Sequence, residues 1–413
     1  MHETDVSVMN QIEYLENQNW IRRLHPPGRI GIIGGGQLGR MITIEAKRMG
    51  YRVIVLDPMP DSPAGQLADQ QIVAAFSDMA ALRKLSQSAD VLTYEFEHLD
   101  ISTLDALEAR GARLIPSAKT LEIIQNKYHQ KVRLRKIGVQ VPDFVRIDSL
   151  EALEEAFLVF GGRLVLKTCR DGYDGKGTWI VTEQAQLKPA YEAFSGEEIM
   201  AEAFADFAME VSILAARGRE GVKLYPIAEN VHEDGILMHS SVPARLPEET
   251  KAEIQRIAMK ILEAFDDYGL FCIECFVDEY NHILVNEIAP RPHNSGHYTI
   301  EACITSQFEQ LLRVITGMPL GSTALLAPCV MWNLLGQGEG RGAYEVRGSE
   351  RLLSEEACYL HLYGKKETGP LRKLGHVTVL GESIEAAQEK AKNVMCSISI
   401  ETLEREALYE GRN

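Results

Sequence analysis

The sequence predicts a mixed α/β and α+β protein of two to three domains, led by a Rossmann-like parallel sheet. Three observations carry this. The 413 residues exceed what one hydrophobic core usually organises. Strand-like and helix-like stretches alternate from residue 29 to about 125, the pattern of a parallel sheet with crossover helices. From about residue 142 the texture changes to strands joined by Gly- and Asp-rich turns, which fits antiparallel pairing.

Residues 1–28 read as a polar, acidic N-terminal extension in which Ile12, Leu15 and Trp20 suggest a short amphipathic helix. In a first unit, 29–125, the runs RIGIIG, YRVIVLD, QIVAA and DVLTYEF read as β-strands. SAKTLEIIQNKYHQKVRLRKIG then reads as one helix, stopped by Gly138 with Pro142 just beyond. The second unit, 126–325, offers RLVLKT, TWIVT, EEIMAEAF, MEVSILAAR and KLYPIAENVH as strands of an antiparallel sheet. A helix near 248–268 separates these from a hairpin, FCIECFVDEYNHILVNEIAP. In 326–413, APCVMWNLLG, ACYLHLYG and HVTVLG precede a terminal helix and read as a small C-terminal α+β domain.

The formal net charge of −16 argues against a nucleic-acid partner, because no concentrated basic patch offsets repulsion by a polyanion. Small anionic substrates stay compatible with it. No apolar run approaches the ~20 residues of a membrane span, and the N-terminus has no apolar signal core. Seven scattered cysteines point to a reducing cytoplasm. Cys272 and Cys275 form a C-x-x-C inside a strand-like run, where residues three apart face opposite ways, so packing is the expected role.

Three features carry chemistry. Gly34-x-Gly36-x-x-Gly39 follows the first strand and Asp57 ends the next, which as a pattern is the NAD fingerprint. That leaves open whether the fold holds a dinucleotide or another ligand. In the hairpin, a turn centred between Tyr280 and Asn281 sets Glu274 opposite Glu287 on one face. Opposed carboxylates repel unless a cation lies between them, and an oxygen donor set suits Mg²⁺, with Asn286 a possible further ligand. Third, the loop Asp171-Gly172-Tyr173-Asp174-Gly175-Lys176-Gly177 joins two strands just after Lys167. It is no Walker A loop, yet glycines that let backbone N–H groups approach closely, beside cations, fit a triphosphate.

Lys167, the GYDGKG loop, EAFADFAMEVS and the Glu274/Asn286-Glu287 set together resemble the ATP-grasp enzymes. IAPRPHNSGHYTIEAC, with GGGQLGRM and TYEFE upstream, is similar to one branch, the ligases that carboxylate aminoimidazole ribonucleotide in purine biosynthesis. The likeness runs from residue 29 to about 390 and implies an ATP-grasp fold behind a Rossmann-like pre-ATP-grasp domain. It implies that Lys127 and Lys167 meet the ATP phosphates, under a lid of Gly172 to Gly177. Glu202, Ala203, Phe204 and Ala205 match the hinge that reads adenine, Glu210 the ribose acid, and His232 a histidine near the nucleotide. Glu274 and Glu287 match the Mg²⁺ ligands, beside Asn286. For aminoimidazole ribonucleotide and bicarbonate it implies Gln37, Glu95, Tyr173, Arg291, His293, Asn294, Ser295, Lys365 and Arg372, with Arg291 or His293 orienting bicarbonate. The implied reaction starts with bicarbonate attacking the γ-phosphorus to give carboxyphosphate. A homodimer is also implied. Two departures are visible: Asp171 stands where glycine is commoner, and Lys127 where an arginine is also used. A nicotinamide oxidoreductase, a formate-using transformylase and a catalytically silent nucleotide binder are the competing readings.

Overall fold

The computed structural model describes residues 23–170, 172 and 177–403. The first unit is a parallel sheet of β1 (Arg29–Ile33), β2 (Arg52–Asp57), β3 (Gln70–Val73) and β4 (Val91–Tyr94), in the order β3-β2-β1-β4. Ile30, Ile32, Ile33, Val53, Val55 and Leu56 are buried, as both faces of a parallel sheet require. Gly34, at φ 104°, makes the turn from β1 into the helix Gln37–Arg48.

The single helix expected up to Gly138 is two helices, Ala118–Gln125 and Lys127–Lys136. Asn126 separates them, with extended backbone and a side chain that accepts the His129 N–H at 3.0 Å. Lys127 therefore starts a helix rather than sitting inside one, and its own N–H donates to Cys169 O at 2.8 Å.

The strands after residue 142 fall into two sheets, not one. β5 (Phe144–Ile147), β6 (Leu164–Thr168), β7 (Thr178–Val181) and β8 (Ile199–Ala203) form an antiparallel sheet in the order β5-β8-β6-β7. Two helices absent from the expectation, Leu150–Val159 and Leu187–Ala193, cover it with Leu153, Phe157, Leu187 and Ala190. Ser149 caps the first of them by accepting the Ala152 N–H.

The larger sheet contains β9 (Met209–Gly218), β10 (Gly221–Leu224), β11 (Ala228–Glu233), β12 (Ile236–Val242), β13 (Gly269–Val277), β14 (Ile283–Ala289) and β15 (Cys329–Leu335). After β16 (Tyr344–Arg347), it is completed by β17 (Cys358–Leu362) and β18 (Lys373–Leu380). Its order is β14-β13-β9-β11-β12-β15-β18-β17, with β10 on β9. β12 pairs with β15 from His239↔Trp332 to Val242↔Cys329, so the strands beyond residue 326 extend this sheet instead of building their own. β16 pairs separately with β19 (Ser399–Thr402). Cys272 and Cys275 lie in different cores on opposite faces of β13. The core containing Cys272 also takes Ile30, Leu38 and Ile42, so it joins the first unit to the large sheet. The helix read near 248–268 spans Glu248–Phe265. Among the described residues, no helix is long and apolar enough to cross a membrane.

The hairpin pairs Glu274 with Glu287, as expected, but by a different route. Near the turn the register is Phe276↔Leu284 and Val277↔Ile283, one residue off that of the far end. A bulge between Glu274 and Cys275 corrects it, leaving Asn286 as the extra residue beside Glu287.

Candidate active site

Two cavities meet behind the loop that follows β14. The smaller, about 410 Å³, lies between the two antiparallel sheets. Lys127, Lys167, Gly172, Glu202, Ala203, Phe204, Ala205, Glu210, His232, Glu274, Asn286 and Glu287 all line it. Its apolar end is formed by Val165, Ile180, Leu237 and Phe207, and Phe207 stacks on Phe276 at 4.6 Å. A flat heteroaromatic ring fits such an end, and a polyanion the cationic one.

The charges there are interlocked. Lys127 Nζ lies 2.6 Å from Glu287 Oε2. Glu202, fully buried, is shared by Lys167 at 2.9 Å and Lys131 at 3.2 Å, and Lys131 also donates to Asn286 O at 2.9 Å. Lys167 reaches Asn286 Oδ1 at 3.4 Å. Burial, then the opposed Glu287, pushes the Glu274 carboxyl up to about 7. Glu287 goes the other way, to about 2, chiefly because of Lys127. Burial lowers Lys131 to about 8 despite Glu202. Glu210 and the His232 Nδ1 are 2.5 Å apart, and this contact raises the histidine's proton affinity against the effect of burial.

The same carboxylates make a donor set for a cation. Glu274, Glu287 and the Asn286 amide offer hard oxygens on one hairpin, and the repulsion that raises Glu274 is the mark of a place a cation would relieve. Cys272, Glu274 and His293 also bring ligand atoms within 4.8 Å of one another. Burial, however, holds the Cys272 thiol well above its usual range, which keeps it protonated and a poor ligand. The oxygen set fits Mg²⁺.

The larger cavity, about 1020 Å³, is lined by Gln37 and Glu95 from the first unit, Arg291, His293 and Asn294 from the loop, and Lys365 and Arg372 from the C-terminal segment. His293, Asn294 and Lys373 line both cavities. Arg291 is oriented by Glu97 at 2.8 Å. Burial, then Arg291 and Lys373, lowers His293 to about 3, so the ring is neutral.

The structure refines the roles of Glu95 and Ser295 and leaves Asp57 as a turn residue, as its place before Pro58 suggests. Glu95 reaches the cavity, but its carboxylate accepts the backbone N–H groups of Gly36 and Gly39, the latter at 2.6 Å. It fills the anion slot of the Gly-rich turn, where a dinucleotide would need its pyrophosphate. Asp57 likewise accepts from Gly35 at 2.8 Å and from Met59 at 2.8 Å, so it pins a turn and holds no ribose. Ser295 faces neither cavity; its hydroxyl is buried 2.7 Å from Ser212 Oγ and 2.9 Å from His293 Nδ1. The Asn294 amide is engaged in a reciprocal pair with Asn333, at 2.9 and 2.7 Å, which anchors the loop. Tyr173, Asp174, Gly175 and Lys176, with Asp171, lie outside the described residues, as does most of the N-terminal extension.

Sequence reasoning missed Lys131, Glu97, Lys373 and Gln307. Glu97 stands two residues beyond Glu95, and that spacing was an available signal; Lys131, one helical turn from Lys127, is one cation among several on a basic helix and gave no signal. Gln307 carried none: its side chain accepts the His293 N–H at 2.9 Å and donates to His293 O at 2.8 Å across a loop and a helix.

Comparisons with known proteins agree with this architecture. Residues 28–125 match the ribonucleotide synthetase preATP-grasp domain, 132–308 the ATP-grasp domain, and 329–390 the phosphoribosylaminoimidazole carboxylase C-terminal domain. The N5-carboxyaminoimidazole ribonucleotide synthase of Brucella melitensis is 43% identical over 358 residues, which is 86% of this chain and 97% of that one. The crystal structure of the synthetase from Thermotoga maritima, 44% identical, superposes with a TM-score of 0.84 over 91% of this chain and 100% of its own. That of the Aspergillus clavatus synthase in complex with ADP and 5-aminoimidazole ribonucleotide, 33% identical, does so with 0.83 over 91% and 98%.

Proposed function

The chain belongs to the family of N5-carboxyaminoimidazole ribonucleotide synthases, and on that premise we propose that its smaller cavity takes ATP and its larger one the aminoimidazole ribonucleotide. It is an ATP-grasp ligase of purine biosynthesis that uses ATP and bicarbonate to carboxylate 5-aminoimidazole ribonucleotide. The observation that carries the assignment of the cavities is their shared wall: His293, Asn294 and Lys373 touch both. A group activated in one chamber can reach an acceptor in the other without crossing bulk water.

In our reading, the apolar end with Phe207 and Phe276 receives adenine, and Glu210 receives the ribose. Lys127 and Lys167 turn from Glu287 and Glu202 toward the phosphates. Glu274 and Glu287, with the Asn286 oxygen, would hold Mg²⁺, which when bound neutralises phosphate charge. An oxygen of bicarbonate attacks the γ-phosphorus, ADP leaves, and carboxyphosphate forms. The exocyclic amine of the ribonucleotide then takes the carboxyl group and loses a proton, either by attacking the carboxyphosphate carbon as phosphate leaves with the C–O bonding pair, or by adding to CO₂ that carboxyphosphate has released with phosphate in the closed site. Arg291, held by Glu97, and His293 orient the carboxyl group in transit. Lys365 and Arg372 take the ribonucleotide phosphate. We further propose a homodimer in a reducing cytoplasm, the latter in keeping with its seven free cysteines, six of them buried.

The test is incorporation of labelled bicarbonate into the ribonucleotide. Label transfer that requires Mg-ATP supports the reading. ATP hydrolysis with no label in the ribonucleotide, under conditions that trap the N-carboxy product, contradicts it.

A further inference from the structure

The wall between the cavities poses a question about one proton. Both ring nitrogens of His293 have protein partners: Nδ1 lies 2.9 Å from Ser295 Oγ, and Nε2 lies 3.3 Å from Glu274 Oε1. Behind Ser295, a file of polar side chains crosses the large sheet. Ser295 Oγ is 2.7 Å from Ser212 Oγ on β9, Asn230 Nδ2 on β11 donates to Ser212 Oγ at 2.9 Å, and Ser240 Oγ on β12 donates to Asn230 Oδ1 at 2.7 Å. Ser212, Asn230, Ser240 and Ser295 are 3, 5, 0 and 1% exposed. Apolar residues of similar volume would pack such a core without risk of an unmade hydrogen bond. The file ends on a ring that lines both cavities.

The direction of the hydrogen bonds settles which nitrogen is bare. The Ser295 backbone N–H donates to His293 Nδ1 at 3.3 Å, and an N–H can only donate. Nδ1 is therefore the lone-pair nitrogen. Against a bare Nδ1 the 2.9 Å contact takes the Ser295 proton, the Ser295–Ser212 contact then takes the Ser212 proton, and Asn230 Nδ2 fills a lone pair of Ser212, so the file is consistent in one direction. With Nδ1 accepting, the ring's proton sits on Nε2, facing Glu274.

We propose that Ser295, Ser212, Asn230 and Ser240 are positioning residues that fix His293 as its Nε2–H tautomer, making it a hydrogen-bond donor at the wall between the nucleotide and ribonucleotide chambers. The inference rests on the reading of His293 as a site residue. Its chemical content is a choice between two rings. Once Glu274 is engaged by the cation, an Nε2–H is left to stabilise negative charge developing on an oxygen of the carboxyl group in transit, whereas a bare Nε2 would repel it. The ring is thus neither the base that deprotonates the amine nor a metal ligand through Nε2.

Nitrogen NMR of the full-length protein with ¹⁵N-labelled histidine tests this, with the His293 signals identified by their loss in His293→Gln. The expected result is an unprotonated Nδ1 and a protonated Nε2. Ser212→Ala and Ser295→Ala are expected to lower kcat for ADP release about tenfold, with the KM for ATP changed less than about twofold. Reduced stability with wild-type kcat in both variants would show a network that serves only the core, and overturns the proposal. An Nδ1–H tautomer in the wild-type protein overturns it without any variant, which covers the case in which Ser212→Ala fails to fold. Full activity of His293→Gln would instead remove His293 from the reaction centre, while the wild-type spectrum still judges the file of hydroxyls.

Discussion

Glu274 and Glu287 face each other across one rung of a ladder, yet their proton affinities differ widely, about 7 against about 2. Lys127 makes the difference by siding with Glu287. Because the Glu274 carboxyl is raised, protons compete with a cation there once the pH falls through 7. Mg²⁺ affinity is expected to be level above pH 8 and to weaken below 7 toward about tenfold per pH unit, measured by calorimetric titration with Mg²⁺. An affinity unchanged between pH 8 and 6 would contradict the assignment. Glu287→Gln is expected to lower Mg-ATP turnover by at least about 100-fold, read as ADP release, and full activity would remove Glu287 from the metal set. Lys131→Met strips a buried carboxylate of one of its two cations and is expected to cost about 3 kcal/mol, seen in thermal or urea unfolding. The carboxylate pair was legible in the sequence because strand alternation fixes faces. Lys131 was not, since KYHQKVRLRK reads as a solvated basic helix until Glu202 is brought against it by a distant strand.

At the scale of elements, the Gly-rich turn shows where pattern and ligand part. The glycines do what their spacing predicts: Gly34 turns at positive φ, and a Cβ on Gly39 would stand 2.6 Å from Gly34 O. Gly39→Ala must therefore push the helix off the strand, and a loss of about 1–3 kcal/mol in unfolding experiments is expected. The cofactor did not follow from the pattern because Glu95, just past the end of β4, supplies the anion that the helix N-terminus calls for. Nothing within the motif announces a residue 56 positions away. The hairpin was read correctly at Glu274 only because the bulge compensates a misplaced turn, and local turn signals carry no information about a bulge. The divided helix at Asn126 was likewise hidden, since helical periodicity continues across it.

Over the whole molecule, most of the strands were readable in order, but the helices Leu150–Val159 and Leu187–Ala193 and the sharing of sheets were not. Which strand pairs with which depends on contacts between residues far apart in the chain, as when β12 takes β15. The active-site loop depends on that junction, because Asn294 is tied to Asn333 on β15. A chain ended at residue 326 is thus expected to lose cooperative melting and nucleotide binding together, seen by calorimetry and by equilibrium dialysis with ATP. A truncated chain that melts as sharply as the full one would contradict the continuous sheet. The architecture as a whole makes one claim, that ATP activation and ribonucleotide carboxylation share a wall. ADP release measured with Mg-ATP while bicarbonate or aminoimidazole ribonucleotide is left out in turn tests it most directly. Turnover that rises steeply when both are present is the predicted result, and ATP turnover indifferent to both would contradict it.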